Sequence, residues 1–198
     1  MTIDLEPRSF ASFADLEREA LGCVRCPLSE GRTQVVFGVG DPHADLMFVG
    51  EGPGEQEDLQ GEPFVGRAGQ LLTTLIGGIG LTRADVYIAN VVKCRPPGNR
   101  DPLPLEIAQC SPFLEAQLTF IAPRVVVTLG NFATKLLLDT KEGITKLRGR
   151  EFPFRSGAVL IPALHPSAVL RNGGQALARA RADFVIMKRA VAAQTGSR

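Results

Sequence analysis

The sequence contains no tryptophan, one tyrosine and only two histidines in 198 residues. A catalytic or ligating imidazole must therefore be His43, in a turn-like Asp-Pro-His, or His165. No apolar run approaches the roughly 18 residues that a membrane-spanning helix requires. The opening MTIDLEPRSF lacks a basic segment followed by an apolar one, so no secretory signal is read there. A cytoplasmic protein with no membrane attachment is expected. Repeats and low-complexity linkers are also missing. The length fits one domain over residues 1–198, in which residues 1–20 form an acidic N-terminal extension. Cysteine is scarce at four, and in a reducing compartment these thiols are expected to be metal ligands rather than disulfides.

The net charge of +1 singles out no partner, but its distribution is uneven. Residues 1–140 carry 11 Lys/Arg against 18 Asp/Glu, whereas residues 141–198 carry 11 against 3. A basic C-terminal third fits polyanion binding, and it fits equally a solvated basic helix.

Short β-rich runs alternate with helical patterns. Strands are expected at 45–50, 86–92, 124–129 and 158–162, and helices at 68–79, 104–121, 131–138 and 175–193. Pro104 stands in the first turn of its helix, where a missing N–H costs little. Strands separated by helices imply an α/β fold: a central, mostly parallel four-stranded sheet covered on both faces, a three-layer α/β/α sandwich. Ligand sites in such sheets lie beyond the C-terminal strand ends.

Four segments fall at those ends. Gly50-Glu51-Gly52-Pro53-Gly54-Glu55-Gln56-Glu57-Asp58 follows the first strand. Its glycines permit close backbone approach to a ligand, but no Gly-Lys-Ser/Thr follows and its acids would repel phosphate. A plain surface turn is the alternative. Phe64, in the loop Gly61-Glu62-Pro63-Phe64-Val65-Gly66-Arg67, is placed either to stack on a base or to plug the core. Asn90 ends the second strand. Its amide can read a nucleobase edge with a donor and an acceptor, or simply form a turn. His165 ends the fourth, followed by Pro166-Ser167 and a loop carrying Leu170 and Arg171. It is either a functional imidazole or part of a helix-capping loop.

The cysteines run Cys23-x2-Cys26 and then Cys94-x15-Cys110. A two-knuckle zinc site would show a second close pair. Thiolates from scattered elements, with Pro27 beside Cys26, suit an iron–sulfur cluster better, with zinc and plain structural thiols as alternatives.

With this cysteine set, the ordered segments GEGPGEQED, GEPFVGRAGQLL, NVVKCRPPGNRDPLP and HPSAVLR make the chain resemble the family 4 (thermophile-type) uracil-DNA glycosylases. The resemblance covers roughly residues 20–190. It implies a three-layer domain and a [4Fe–4S] cluster on Cys23, Cys26, Cys94 and Cys110. It also implies a monomer that acts on uracil-containing DNA, single- or double-stranded, releases free uracil and starts base excision repair. By motif position Glu51, Gly52 and Glu57 belong to the first active-site motif, with Glu51 near uracil C5 as a barrier to thymine. Phe64 stacks on the flipped base, Asn90 reads its edge, Asn99 lies near the site, and His165 faces uracil O2 together with a backbone N–H near Gly52. Gly52 stands where better-known members of the superfamily place a water-positioning aspartate. Leu170 and Arg171 are expected to fill the gap left in the DNA stack, and Arg171, Arg179, Arg181, Lys188 and Arg189 to grip phosphate.

Overall fold

The protein was analysed as a computed structural model that describes residues 9–195. Within them, β1 (Val39–Gly40), β2 (Leu46–Gly50), β3 (Tyr87–Asn90), β4 (Val125–Leu129), β5 (Phe152–Pro153) and β6 (Val159–Ala163) form one sheet in the order β1-β3-β2-β4-β6-β5. The four central strands are mutually parallel, as the alternation of strands and helices requires. The sheet is larger than the expected four strands. β1 and β5 add an antiparallel strand at each edge. Each is two residues long, too short to show a period-2 pattern in sequence.

The strand side chains alternate between two cores, which is what makes three layers. Met47, Val49, Tyr87, Ala89, Val126 and Leu160 pack on one side against α1 (Phe13–Leu21) and α5 (Pro104–Ile121). Leu46, Phe48, Ile88, Val125, Val127 and Ile161 pack on the other against α4 (Arg67–Gly78), α8 (Pro166–Asn172) and α9 (Gly174–Thr195). Every residue of β2, β3 and β4 is buried, the signature of strands covered on both faces.

The segment read as an N-terminal extension belongs to the fold from α1 onward. Ser12 caps that helix by accepting from the Asp15 N–H at 3.1 Å, and Leu16 and Ala20 are fully buried. The acidic character of the segment sits on the outer face of an amphipathic helix. Residues 1–8 lie outside the described range.

Leu170 and Arg171 were expected in a loop; they lie in the last turn of α8. His165 caps that helix, accepting from the Ser167 N–H at 3.2 Å, and Pro166 occupies its first turn.

Candidate active site

The C-terminal ends of β2, β3 and β6 open into a cleft of about 460 Å³. Glu51, Gly52, Glu57, Phe64, Asn90, Asn99, His165 and Arg171 all line it. Leu170, next to Arg171 in α8, is 44% exposed.

Asn90 ends β3 directly opposite Gly50 of β2. Asn90 is 1% exposed, and its Oδ1 is buried with no hydrogen-bond partner among the described residues. An unpaired buried acceptor at a cleft wall is available to a donor that enters the cleft. Gly50 makes the arrangement possible. A Cβ there would lie 2.3 Å from Asn90 Oδ1 and 2.6 Å from Phe64 Cζ, so only glycine lets these two side chains meet over the strand end.

Phe64 sits at φ 55°, a left-handed conformation that costs an aromatic residue on the order of 1–3 kcal/mol. The surroundings hold it there. Arg83 donates to the carbonyls of Phe64 at 3.2 Å and Pro63 at 2.7 Å. Glu57 Oε1 accepts from the backbone N–H groups of Val65 and Gly66, both at 2.9 Å. Gly69 lies so close that a Cβ would strike the Phe64 carbonyl oxygen at 1.8 Å. Glu57 thus lines the cleft but spends one carboxylate oxygen on holding the Phe64 loop. The Phe64 ring is buried and stands 5.8 Å from the His165 ring, tilted by 36°.

His165 accepts through Nδ1 from the Ser167 N–H and pairs with Ser167 Oγ at 2.8 Å. An imidazole that accepts at Nδ1 carries its proton on Nε2. Burial, with help from the Arg171 cation, pushes its pKa down to about 4. At neutral pH the ring is uncharged, with a fixed tautomer that presents an N–H donor. Gly130, at φ 93°, clears space for it: a Cβ there would lie 3.0 Å from His165 Cβ.

Burial and the carboxylate of Asp101 raise Glu51 to about 7. Gly52 is closely faced by Val92, since a Cβ there would meet Val92 Cγ2 at 2.8 Å and force it to shift. Asn99 Oδ1 accepts from Arg95 Nε at 2.8 Å on the exposed side of the cleft. Arg100, also on the wall, is anchored by two bonds to the buried Glu106 at 2.9 and 2.6 Å.

The sequence pattern of the Uracil DNA glycosylase superfamily matches residues 37–186, which contain every residue of this cleft. The chain belongs to that superfamily. It is 52% identical to a type-4 uracil-DNA glycosylase of Thermotoga maritima over 158 residues, 79% of this chain and 82% of the relative. Type-4 enzymes of Sulfurisphaera tokodaii (46% over 169 residues; 81% and 77% covered) and Archaeoglobus fulgidus (45% over 166; 80% and 83%) are similar to it as well. Within the uracil-DNA glycosylases the chain therefore stands with the type-4 members.

This superfamily member has a second feature behind its cleft. Cys23, Cys26, Cys94 and Cys110 all line one small cavity between the N-terminal segment, the loop after β3 and α5. Among the described residues no group of three or more His, Cys, Asp or Glu side chains is arranged to hold a metal. The cavity wall is rich in donors. Arg25 Nε reaches Cys23 Sγ at 3.3 Å, Arg32 reaches Cys94 Sγ at 3.4 Å, and the Lys93 N–H reaches Cys110 Sγ at 3.2 Å. One Arg25 guanidinium nitrogen is buried without a hydrogen-bond partner among the described residues, and the group lies over the Phe113 ring at 4.3 Å. Burial raises the Cys26 and Cys94 thiols and pushes Cys110 up to about 12.

Of the expected phosphate grips, only Arg171 lines the cleft. Lys188 and Arg189 lie toward the opposite end of the sheet. Lys188 Nζ is 3.7 Å from the Cβ position of Gly80, just beyond the C-terminal end of α4, and Gln194 further along α9 accepts from Arg124 at the start of β4. Helix α9 runs back along the strands, so its basic residues spread over the domain length. Two supporting residues went unread in sequence: Arg83 and Asp101. They act across long sequence separations and leave no local pattern.

Proposed function

We infer that this chain is a uracil-DNA glycosylase that extrudes uracil from DNA and hydrolyses its N-glycosidic bond, acting as a monomer in the reducing cytoplasm. The observation that carries this reading is the buried, unpartnered Oδ1 of Asn90 beside Phe64 and His165. Uracil offers N3–H to that acceptor and O4 to the amide nitrogen, while Phe64 supplies an apolar face for stacking.

The target atom is inaccessible in a duplex, so the nucleotide leaves the stack first. Leu170 is an exposed apolar side chain fit to enter the gap, with Arg171 beside it for phosphate. As the C1′–N1 bond breaks, its electron pair passes to uracil, and the sugar becomes oxocarbenium-like. The Nε2–H of neutral His165, together with the Gly52 N–H, stabilises the negative charge growing on O2. Water then adds at C1′ and its proton leaves to solvent. Position 52 carries no carboxylate to position the water, so stabilisation of the leaving anion carries the rate. A protonated Glu51 helps by not opposing that anion.

The cysteine cavity suits a [4Fe–4S] cluster. All four cysteines line one cavity, and the Arg25 and Arg32 side chains and the Lys93 N–H beside them are donors that suit cluster-bound sulfur. Cys23, Cys26, Cys94 and Cys110 would hold such a cluster, which would cross-link the N-terminal segment to the loop after β3 without electron transfer in the reaction.

The test is incubation with uracil-containing single- and double-stranded oligonucleotides, with free uracil measured and strands cleaved by alkali. Uracil release with an alkali-labile site is expected. Binding to uracil-containing DNA without release would make the chain a binding module instead.

A further inference from the structure

Lys93 is an unusual occupant of its position. It is 1% exposed, one of the largest fully buried side chains in the protein. Its Nζ donates to the backbone carbonyl of Asn90 at 2.8 Å and to Gln117 Oε1 at 2.5 Å. Both acceptors are neutral, and among the described residues Lys93 makes no ion pair with a carboxylate. A buried ammonium without an opposite charge is costly. The same residue lines the cavity of the four cysteines and donates its own N–H to Cys110 Sγ. Gln117 is itself fully buried and fastened from behind, donating to the Phe37 carbonyl at 2.9 Å and to Tyr87 Oη at 3.2 Å. On the cleft side, the Val91 N–H is tied to the Gly50 carbonyl at 3.0 Å. The peptide after Asn90 is therefore clamped between β2 on one side and the Lys93 ammonium on the other.

We propose that Lys93 is a positioning residue for Asn90 and that the negatively charged cysteine cluster is its counter-charge, so that reading of the base depends on the cluster through one buried ammonium. This rests on the assignment of Asn90 to uracil and of the cysteines to an iron–sulfur cluster. Four thiolates and a [4Fe–4S] core carry net negative charge, which balances the ammonium on the cysteine side. The ammonium then orients the Asn90 carbonyl, and with it the plane from which the side-chain amide projects. A residue that merely fills the core would contribute to folding and would be indifferent to whether Asn90 has a side-chain amide.

The experiment compares Lys93→Met, Asn90→Ala and the double variant of the cluster-loaded protein in single-turnover excision from a uracil-containing oligonucleotide. Lys93→Met alone is expected to slow excision about tenfold to a hundredfold, the cost of a small misplacement of a reading group. In the Asn90→Ala background the same change is expected to cost less than about twofold, because the group it positions is gone. An equal loss in both backgrounds makes Lys93 a plain structural residue and overturns the proposal. The second readout is the cluster reduction potential in a dithionite titration. Loss of a nearby positive charge destabilises the more negative reduced state, so Lys93→Met is expected to move the potential to a more negative value, and an unchanged potential overturns the counter-charge. If Lys93→Met does not retain iron, recovery of iron in Lys93→Arg upholds the charge requirement, and the same failure in Lys93→Arg overturns it. Gln117→Leu then takes the place of Lys93→Met in the cycle, with a smaller loss and the same non-additivity expected. Failure of the underlying reading is separately visible: wild-type protein that releases no uracil refutes the function, and an Asn90→Ala variant with wild-type rate refutes the role of Asn90.

Discussion

Replacing His165 with alanine tests the catalytic reading most directly. The ring is held by its Nδ1 contacts to Ser167, so its Nε2–H is aimed before substrate arrives. A preorganised donor to a developing anion contributes about 3–4 kcal/mol, equivalent to a loss of roughly a hundred- to a thousandfold in rate on removal. His165→Ala should therefore lose that much in single-turnover uracil release, with little change in affinity for DNA. The pH dependence makes the test sharper. With a pKa depressed to about 4, His165 stays neutral above pH 5, and its protonation should leave no inflection near 6.5. Glu51→Gln is the background for that profile, because the carboxamide does not titrate. Stability follows the same sign. The unfolded chain binds the imidazole proton more readily, so the stability contributed by neutral His165 is present above 6.5 and is lost as pH falls toward about 4. An equal loss of DNA affinity in His165→Ala, or a rate that titrates near 6.5, would refute the reasoning.

Further outcomes follow from the same geometry. Asn90→Asp should weaken uracil excision and improve relative excision of cytosine, whose edge reverses donor and acceptor; each mispaired buried group costs roughly 1–3 kcal/mol. Competitive release from mixed oligonucleotides checks this, and unchanged selectivity would count against Asn90. Glu51, raised to about 7, should slow excision as pH rises through that value and its charge comes to oppose the uracil anion; a pH–rate profile of Glu51→Gln should lack this limb. Arg171→Ala should lower the log–log salt slope of DNA binding by roughly one, whereas Lys188→Ala, far from the cleft, should leave it unchanged; equal slopes for both would mean that the +8 excess of residues 141–198 acts as a diffuse field.

Much of the architecture was legible because it depends on local periodicity. The helices Pro104–Ile121 and Asn131–Leu138 begin and end where their apolar spacing and the proline at Pro104 place them. The four central strands lie within a residue or two of their apolar runs. Strand-end location then pointed to Asn90 and His165, since parallel α/β sheets gather ligand groups at that edge. The edge strands were not legible, because two residues carry no period and their pairing is set by partners far along the chain.

Residue type and motif order marked out Glu51, Phe64, Asn90, His165 and the four cysteines. What those residues do to one another was settled only in three dimensions. The neutral tautomer of His165 comes from a cap bond, the left-handed turn at Phe64 from Arg83 and Glu57, and the isolation of Asn90 Oδ1 from the bare Cα of Gly50. Nothing in the sequence sets Lys93 apart from the other cations, yet it is enclosed between Asn90 and the cysteine cavity. Periodicity is a property of neighbours along the chain, so sequence determined the layers and the edge where chemistry collects. Burial, hydrogen-bond direction and charge balance depend on atoms brought together from distant segments, and only the tertiary structure could decide them.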